Sequence, residues 1–241
     1  MALNTMPSIL INCDLGEGEP RSQSLALLDR IDCANIACGV HAGNADDLPA
    51  LIEAAMDRGV RVGAHPGMAG ERGRAAIEDM DVSAFYDCVA PQIDVFIDAC
   101  QSAGYPIEKI HAKLHGSLYH VTEARQPLAE KWIEILTARL PSPTLIALAG
   151  GSVVDQAIKK GCWAWAEAFL DRAYCANGRL LARGQPGAII DGESAVRARI
   201  ALLRTKQQIQ AIDGSMLALT IDTLCVHGDT PNAIAILDSI L

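Results

Sequence analysis

Hydrophobic positions follow two periods along the chain. Continuous apolar runs over 8–13, 33–38, 60–64, 107–112, 144–149, 162–168 and 220–226 read as strands. Between them, Leu48, Leu51, Ile52, Ala55 and Met56 fall at helical spacing, as do Phe85, Val89, Ile93, Phe96 and Cys100. Further helices are predicted over 128–140, 153–160 and, with a basic face, 195–210, and a short helical segment over 25–29. Gly59 ends the first of the spaced helices, and Pro91 is placed to kink the second. At the C-terminal end Thr230 caps a helix with Pro231 at its first position and Ala233, Ile236, Leu237 and Ile240 as its buried stripe. The segment 174–191 has no period and is expected to be irregular.

Seven strands alternating with helices, with no Pro/Ser-rich linker between them, predict parallel strands in one domain spanning 1–241. Uninterrupted apolar strands suit a sheet covered by helices. Five strands stop beside glycine and at once present ionisable residues: Asp14 and Glu17, His41, His65, Lys113 with His115, and His227 with Asp229. An open doubly wound sheet collects its ligand at one switch point, whereas a barrel gathers every βα loop at one face. The expectation is an α/β fold closed, or nearly closed, as a β/α barrel.

Each strand-end residue has a plain reading and a chemical one. A lone histidine near a strand end is commonly structural, but five of the six (41, 65, 111, 115 and 227) lie in or just after strand ends. His120 falls one turn further on, as a surface or supporting residue, and His111 is placed to face the barrel wall instead of the site. Asp14 either caps the next turn or serves as general base or metal ligand, and Glu17 either binds substrate or is simply solvated. Asp14, His41 and His65 offer the oxygen and nitrogen donors that zinc or manganese accepts, although no HxH or HxxxH spacing ties two of them to one element. Lys113 is either an ion-pair partner or the cation that stabilises a developing oxyanion or a phosphate. Glu167, Asp171 and Arg172 form either a substrate clamp or a structural charge network, and Asp229 either joins His227 in the site or caps the last helix.

Composition narrows the classes. The 241 residues are half hydrophobic, with 20 basic against 29 acidic residues and a net charge of -9, which argues against nucleic acid or an anionic membrane surface as partner. No run approaches a membrane span, and the N-terminal stretch lacks a basic region and a cleavage site, so a cytoplasmic protein is expected. The eight cysteines form no CxxC pair and lie mostly in apolar runs, as buried reduced thiols. No GxSxG, GxGxxG or P-loop is present, so no nucleotide site is expected in this chain.

The strand-end motifs DLGEG (14–18), ANIACGVHAG (34–43), GAHPG (63–67), KLHGSLY (113–119), EAFLDRAY (167–174), QPGAII (185–190) and CVHGDTP (225–231) resemble those of the LamB/YcsF family, the A component of prokaryotic ATP-dependent 5-oxoprolinase. The resemblance runs from first strand to last. It implies an irregular seven-stranded β/α barrel of the glycoside hydrolase/deacetylase type. It also implies opening of the 5-oxoproline lactam to glutamate with ATP hydrolysis, alongside partner subunits B and C that handle phosphorylation with ATP and Mg²⁺. On that basis Asp14, His41, Lys113 and His115 are the expected catalytic residues. Glu17, Asn35, His65, Glu167, Arg172, His227 and Asp229 are the expected substrate- or phosphate-binding residues, with Asp14 or His41 as base and His227–Asp229 near the leaving phosphate. Asn44 stands where the family has Asp after HAG, and Leu114 replaces a proline before His115. The alternatives are an ATP-independent, metal-dependent amidohydrolase or deacetylase, and a non-catalytic lactam-binding protein; a homo-oligomer is compatible with each.

Overall fold

The computed structural model describes residues 9–74, 77, 79–190, 192–228 and 232–240. In chain order the elements are β1 (Leu10–Leu15), α1 (Arg21–Leu28), β2 (Cys33–Ala37), α2 (Leu48–Met56), β3 (Arg61–His65), α3 (Val82–Ser102), β4 (His111–Lys113), α4 (Gly116–Ala124), α5 (Gln126–Arg139), β5 (Thr144–Leu148), α6 (Ser152–Lys159), β6 (Trp163–Phe169), α7 (Glu193–Lys206), β7 (Gln208–Gln210), β8 (Met216–Ala218), β9 (Thr223–His227) and α8 (Ala233–Asp238). Seven strands close a barrel in the order β1-β2-β3-β4-β5-β6-β9, each pair parallel, with β9 joined to both β6 and β1. The seven-stranded β/α barrel expected from the sequence is therefore the fold.

Alternation along each strand divides the barrel chemically. Cys13, Leu15, Ile36, Val62, Ala64, Leu145, Leu224 and Val226 belong to the apolar core, together with Leu27, Ile52, Phe85, Phe96, Trp132 and Ile236 from the helices. Polar residues between them face the lumen and bond to one another. The Asn12 amide donates to Thr223 Oγ1 (2.8 Å), and the Asn35 amide donates to Asn12 Oδ1 (2.8 Å) and Asp14 Oδ1 (2.9 Å). His111 Nε2 lies 3.0 Å from Asn35 Oδ1; because that oxygen only accepts, Nε2 carries the proton. Burial, reinforced by Arg61 and Lys113, pushes His111 down to about 3, so the ring is neutral.

His111 thus points into the lumen beneath the site, and Gly63 beside it on β3 makes the room. A Cβ on Gly63 would collide with the imidazole of His111. Gly63→Ala is expected to destabilise the fold by about 1–3 kcal/mol, read as a lower urea midpoint. In a His111→Ala background the same change should cost much less; equal costs in both backgrounds would show that this close approach is not the cause.

Local differences from the sequence reading have local causes. The strand predicted over 107–112 is only His111–Lys113, because Pro106 opens a 3₁₀ turn at Ile107–Lys109 with Lys109 N donating to Pro106 O. α4 has no counterpart in the sequence reading: it is short and begins with glycine, and burial of Leu118, Tyr119 and Thr122 holds it where helix propensity is weak. The helix predicted over 195–210 ends at Lys206, where Gln207 turns left-handed (φ 52°), and β7 and β8 then pair as a hairpin around Asp213–Gly214. α3 continues through Pro91 as one element. Asn44 accepts from Asp46 N (3.2 Å), the turn-capping bond an aspartate makes, which accounts for the exchange there. The eight cysteines carry free thiols, six of them buried, as expected. No described helix is long and apolar enough to cross a membrane. The expected cap and first position of α8, Thr230 and Pro231, lie outside the described residues, as does Asp229.

Candidate active site

The C-terminal ends of the strands open into a cavity of about 540 Å³. Its floor and one wall carry Asp14 from β1, His65 from β3, Lys113 from β4, His115 at the start of α4, Phe169 from β6 and His227 from β9. The lining also includes Arg74, Arg172 and Arg183, and His120 and Tyr119 from α4. Five of the expected site residues, Asp14, Lys113, His115, His65 and His227, come together here from four strands and one helix start, and Arg172 lines the same cavity.

Lys113 is the centre of the floor. Its Nζ lies 2.9 Å from Asp14 Oδ1, 2.9 Å from Glu167 Oε1 and 3.2 Å from Cys225 Sγ. The far oxygen of Glu167 accepts from the Tyr119 hydroxyl at 3.0 Å. Burial disfavours the ammonium, but Asp14, Cys225 and Glu167 outweigh it and hold Lys113 charged, well above the ordinary lysine value. Burial likewise opposes ionisation of Asp14, yet His65, Lys113 and His227 hold its carboxyl well below the usual range. Asp14 is therefore a carboxylate with one oxygen engaged by Lys113 and Asn35. Its other oxygen, Oδ2, looks toward His65 Nε2 (3.4 Å) and His227 Nε2 (3.9 Å).

His227 is oriented by Asp171, which sits just after β6. Nδ1 lies 3.0 Å from both Asp171 oxygens, and the His227 backbone N–H donates to the same carboxylate at 3.0 Å. An acceptor at Nδ1 leaves Nε2 for the cavity. Burial lowers the basicity of His227, but Asp171 more than reverses this and raises it above the ordinary imidazole value. The loop carrying Asp171 and Arg172 is pinned from behind: Arg199 of α7 donates to the carbonyls of Phe169 (3.0 Å) and Arg172, and Phe169 N donates to the Tyr174 hydroxyl (2.9 Å). Arg172 itself donates to Leu181 O (2.7 Å), while burial and the nearby Arg183 guanidinium push it below the ordinary arginine value.

Glu17, Asn35, His41 and Glu167 do not line the cavity. Asn35 and Glu167 lie beneath it and hold Asp14 and Lys113 in place. Glu17 and His41 lie to one side, in a group with His65 and His115. Glu17 Oε1 is 2.7 Å from His115 Nδ1, 3.2 Å from His41 Nε2 and 3.6 Å from His65 Nε2, and the His115 and His65 nitrogens are 3.0 Å apart. Burial outweighs the attraction of Glu17 at His41, bringing that imidazole down to about 4 and keeping it neutral. This group can hold a metal ion, as can Asp14, Cys225 and His227. Of the metal candidates drawn from the sequence, His41 and His65 therefore share one group and Asp14 belongs to another.

Four contributors escaped the sequence reading: Arg74, Tyr119, Phe169 and Arg183. Arg183 lies in the aperiodic segment, whose described part, 174–190, borders the cavity and is tied by the bridges Arg172–Ile189 and Tyr174–Leu180. Tyr119 was visible only as part of the KLHGSLY run; its hydroxyl reaches Glu167 because α4 turns it inward.

Fold and site together define a β/α-barrel protein with a buried lysine–carboxylate–imidazole centre at the strand ends. The chain belongs to the LamB/YcsF family, whose profile matches residues 9–241. It is 38% identical over 243 residues to the A components of 5-oxoprolinase from two strains of Corynebacterium glutamicum, with 98% of this chain and 94% of each relative covered. Among solved structures it is similar to the lactam utilization protein from Thermus thermophilus, with a TM-score of 0.84 and 29% identity over 97% of this chain and 94% of that one.

Proposed function

We propose that the chain is the A component of an ATP-dependent 5-oxoprolinase and opens the lactam of 5-oxoproline to glutamate, with ATP and Mg²⁺ handled by partner subunits B and C. The observation that carries this reading is the cavity lining, in which Asp14, Lys113 and His227 are joined by three arginines, Arg74, Arg172 and Arg183. A small lactam bearing a carboxylate matches both sets of groups. Its anion faces Arg172 and Arg183, which places the ring amide over Asp14 and His227. The names of the Corynebacterium relatives and of the Thermus structure point the same way.

A lactam is a stable amide, so it is activated before water attacks. Phosphorylation of the carbonyl oxygen by the partner subunits makes the ring carbon electrophilic. Water then forms the new C–O bond and passes a proton to Asp14 Oδ2. The ring C–N bond breaks as the nitrogen takes a proton from the Asp171-held His227 imidazolium. Hydrolysis of the resulting acyl phosphate completes glutamate and phosphate. Lys113 fixes Asp14 and contributes positive charge beneath the developing oxyanion. The cavity exceeds what one five-membered ring fills, leaving space for the phosphoryl group.

The test is glutamate release from 5-oxoproline with Mg-ATP, by this chain alone and with subunits B and C. Release is expected only with the partners. No release from a folded, associated mixture would overturn the substrate. Release without ATP would instead support the second reading, a metal-dependent amidohydrolase, which the Glu17–histidine group favours.

A further inference from the structure

We propose that Glu17, His41, His65 and His115 are the ligands of a divalent transition-metal ion of the zinc class. The inference stands on the donor geometry and is independent of which amide the protein opens.

The first argument is where the protons go. His65 Nδ1 lies 2.8 Å from the Lys113 carbonyl oxygen, which can only accept, so Nδ1 carries a hydrogen and Nε2 is the nitrogen turned to the group. That nitrogen faces Glu17 Oε1 and Asp14 Oδ2, and His115 Nδ1 at 3.0 Å. Glu17 Oε1 in turn sits 2.7 Å from His115 Nδ1 and 3.2 Å from His41 Nε2. One oxygen and three ring nitrogens from four separate segments converge, all within 4.8 Å of one another. Such a convergence of oxygen and nitrogen donors in a buried place suits a cation held between them. A ring nitrogen anchored through its far N–H to a backbone carbonyl is also the usual arrangement of a metal-binding imidazole.

The second argument is spacing. Bonds of about 2.0–2.1 Å in a tetrahedron place neighbouring donor atoms roughly 3.3 Å apart. The separations here, 2.7, 3.0, 3.2 and 3.6 Å, bracket that edge. Three imidazoles with one carboxylate select a transition ion over magnesium or calcium, which take oxygen ligands.

The third argument is the fit of the rings. Glycines keep them where they are: a Cβ on Gly67 would lie 2.5 Å from His41 Nδ1, and one on Gly73 would lie 2.7 Å from His115 Cδ2. His41 and His115 stack with centroids 3.9 Å apart in the slot so formed.

The test needs no turnover. The full chain is stripped with chelator, titrated with Zn²⁺ or Co²⁺, and its bound metal counted by elemental analysis, with visible absorption read for the cobalt form. One ion per chain and the intense visible bands of tetrahedral cobalt are expected. His115→Ala and Glu17→Gln should each reduce occupancy at least tenfold under the same wash, while Cys225→Ser leaves it at one. Glu17→Gln preserves shape, so it serves even if His115→Ala folds poorly. Absence of metal above background in the wild-type chain overturns the proposal, as does loss of binding with Cys225→Ser but not with Glu17→Gln. Because occupancy and glutamate release are measured separately, failure of one leaves the other readable.

Discussion

Lys113→Met should destabilise the fold by about 3–5 kcal/mol, the usual cost of removing one partner from a buried ion pair. The ammonium is 2% exposed and stands between Asp14 and Glu167, 2.9 Å from an oxygen of each. Without it, two carboxylates are left facing one another in a buried setting. One of them must take up a proton, and the variant then loses stability relative to the wild-type protein as pH rises. Equilibrium unfolding in urea at two pH values reads both effects. A double change, Lys113→Met with Glu167→Gln, should recover part of the loss by removing one of the stranded charges. An unfolding midpoint unchanged by Lys113→Met would show that the pair contributes nothing to the fold.

Asp14→Asn is expected to lower glutamate release in the presence of the partner subunits by roughly 10²–10⁴-fold, the range associated with loss of a positioned proton acceptor. The amide keeps the size of the carboxylate, and Lys113 retains Glu167, so the unfolding midpoint should fall much less than in Lys113→Met. The contrast separates the two residues: Lys113 holds the floor together, and Asp14 presents Oδ2 to the cavity. Undiminished turnover in Asp14→Asn would remove it from the chemistry and shift proton transfer to His227, whose Nε2 faces the same space.

Most of the barrel was legible because its strands are short apolar runs cut off by glycine and an ionisable residue, a pattern that local sequence states directly. Where the outline failed, tertiary burial had replaced local preference. α4 forms because Leu118 and Tyr119 are buried, and the β7–β8 hairpin forms although helical spacing ran past Lys206. The Asp213–Gly214 pair marked that turn, but only three residues pair on each side of it.

For the site, the sequence by itself determined which residues stand at strand ends: Asp14, His41, His65, Lys113, His115 and His227 are each adjacent to a strand or its loop in chain order. Partnership was not determined, because it depends on strand order and register around a closed barrel. Asp14 lies 99 positions from Lys113 and 21 from Asn35, yet touches both. His227 finds Asp171 because β9 pairs with β6, across 56 residues that include a helix and a hairpin. Glu17 joins three histidines because the loop after β1 lies beside those after β2, β3 and β4. Side-chain alternation assigns each residue a face from local sequence alone, whereas closure of the barrel decides which residues meet on that face.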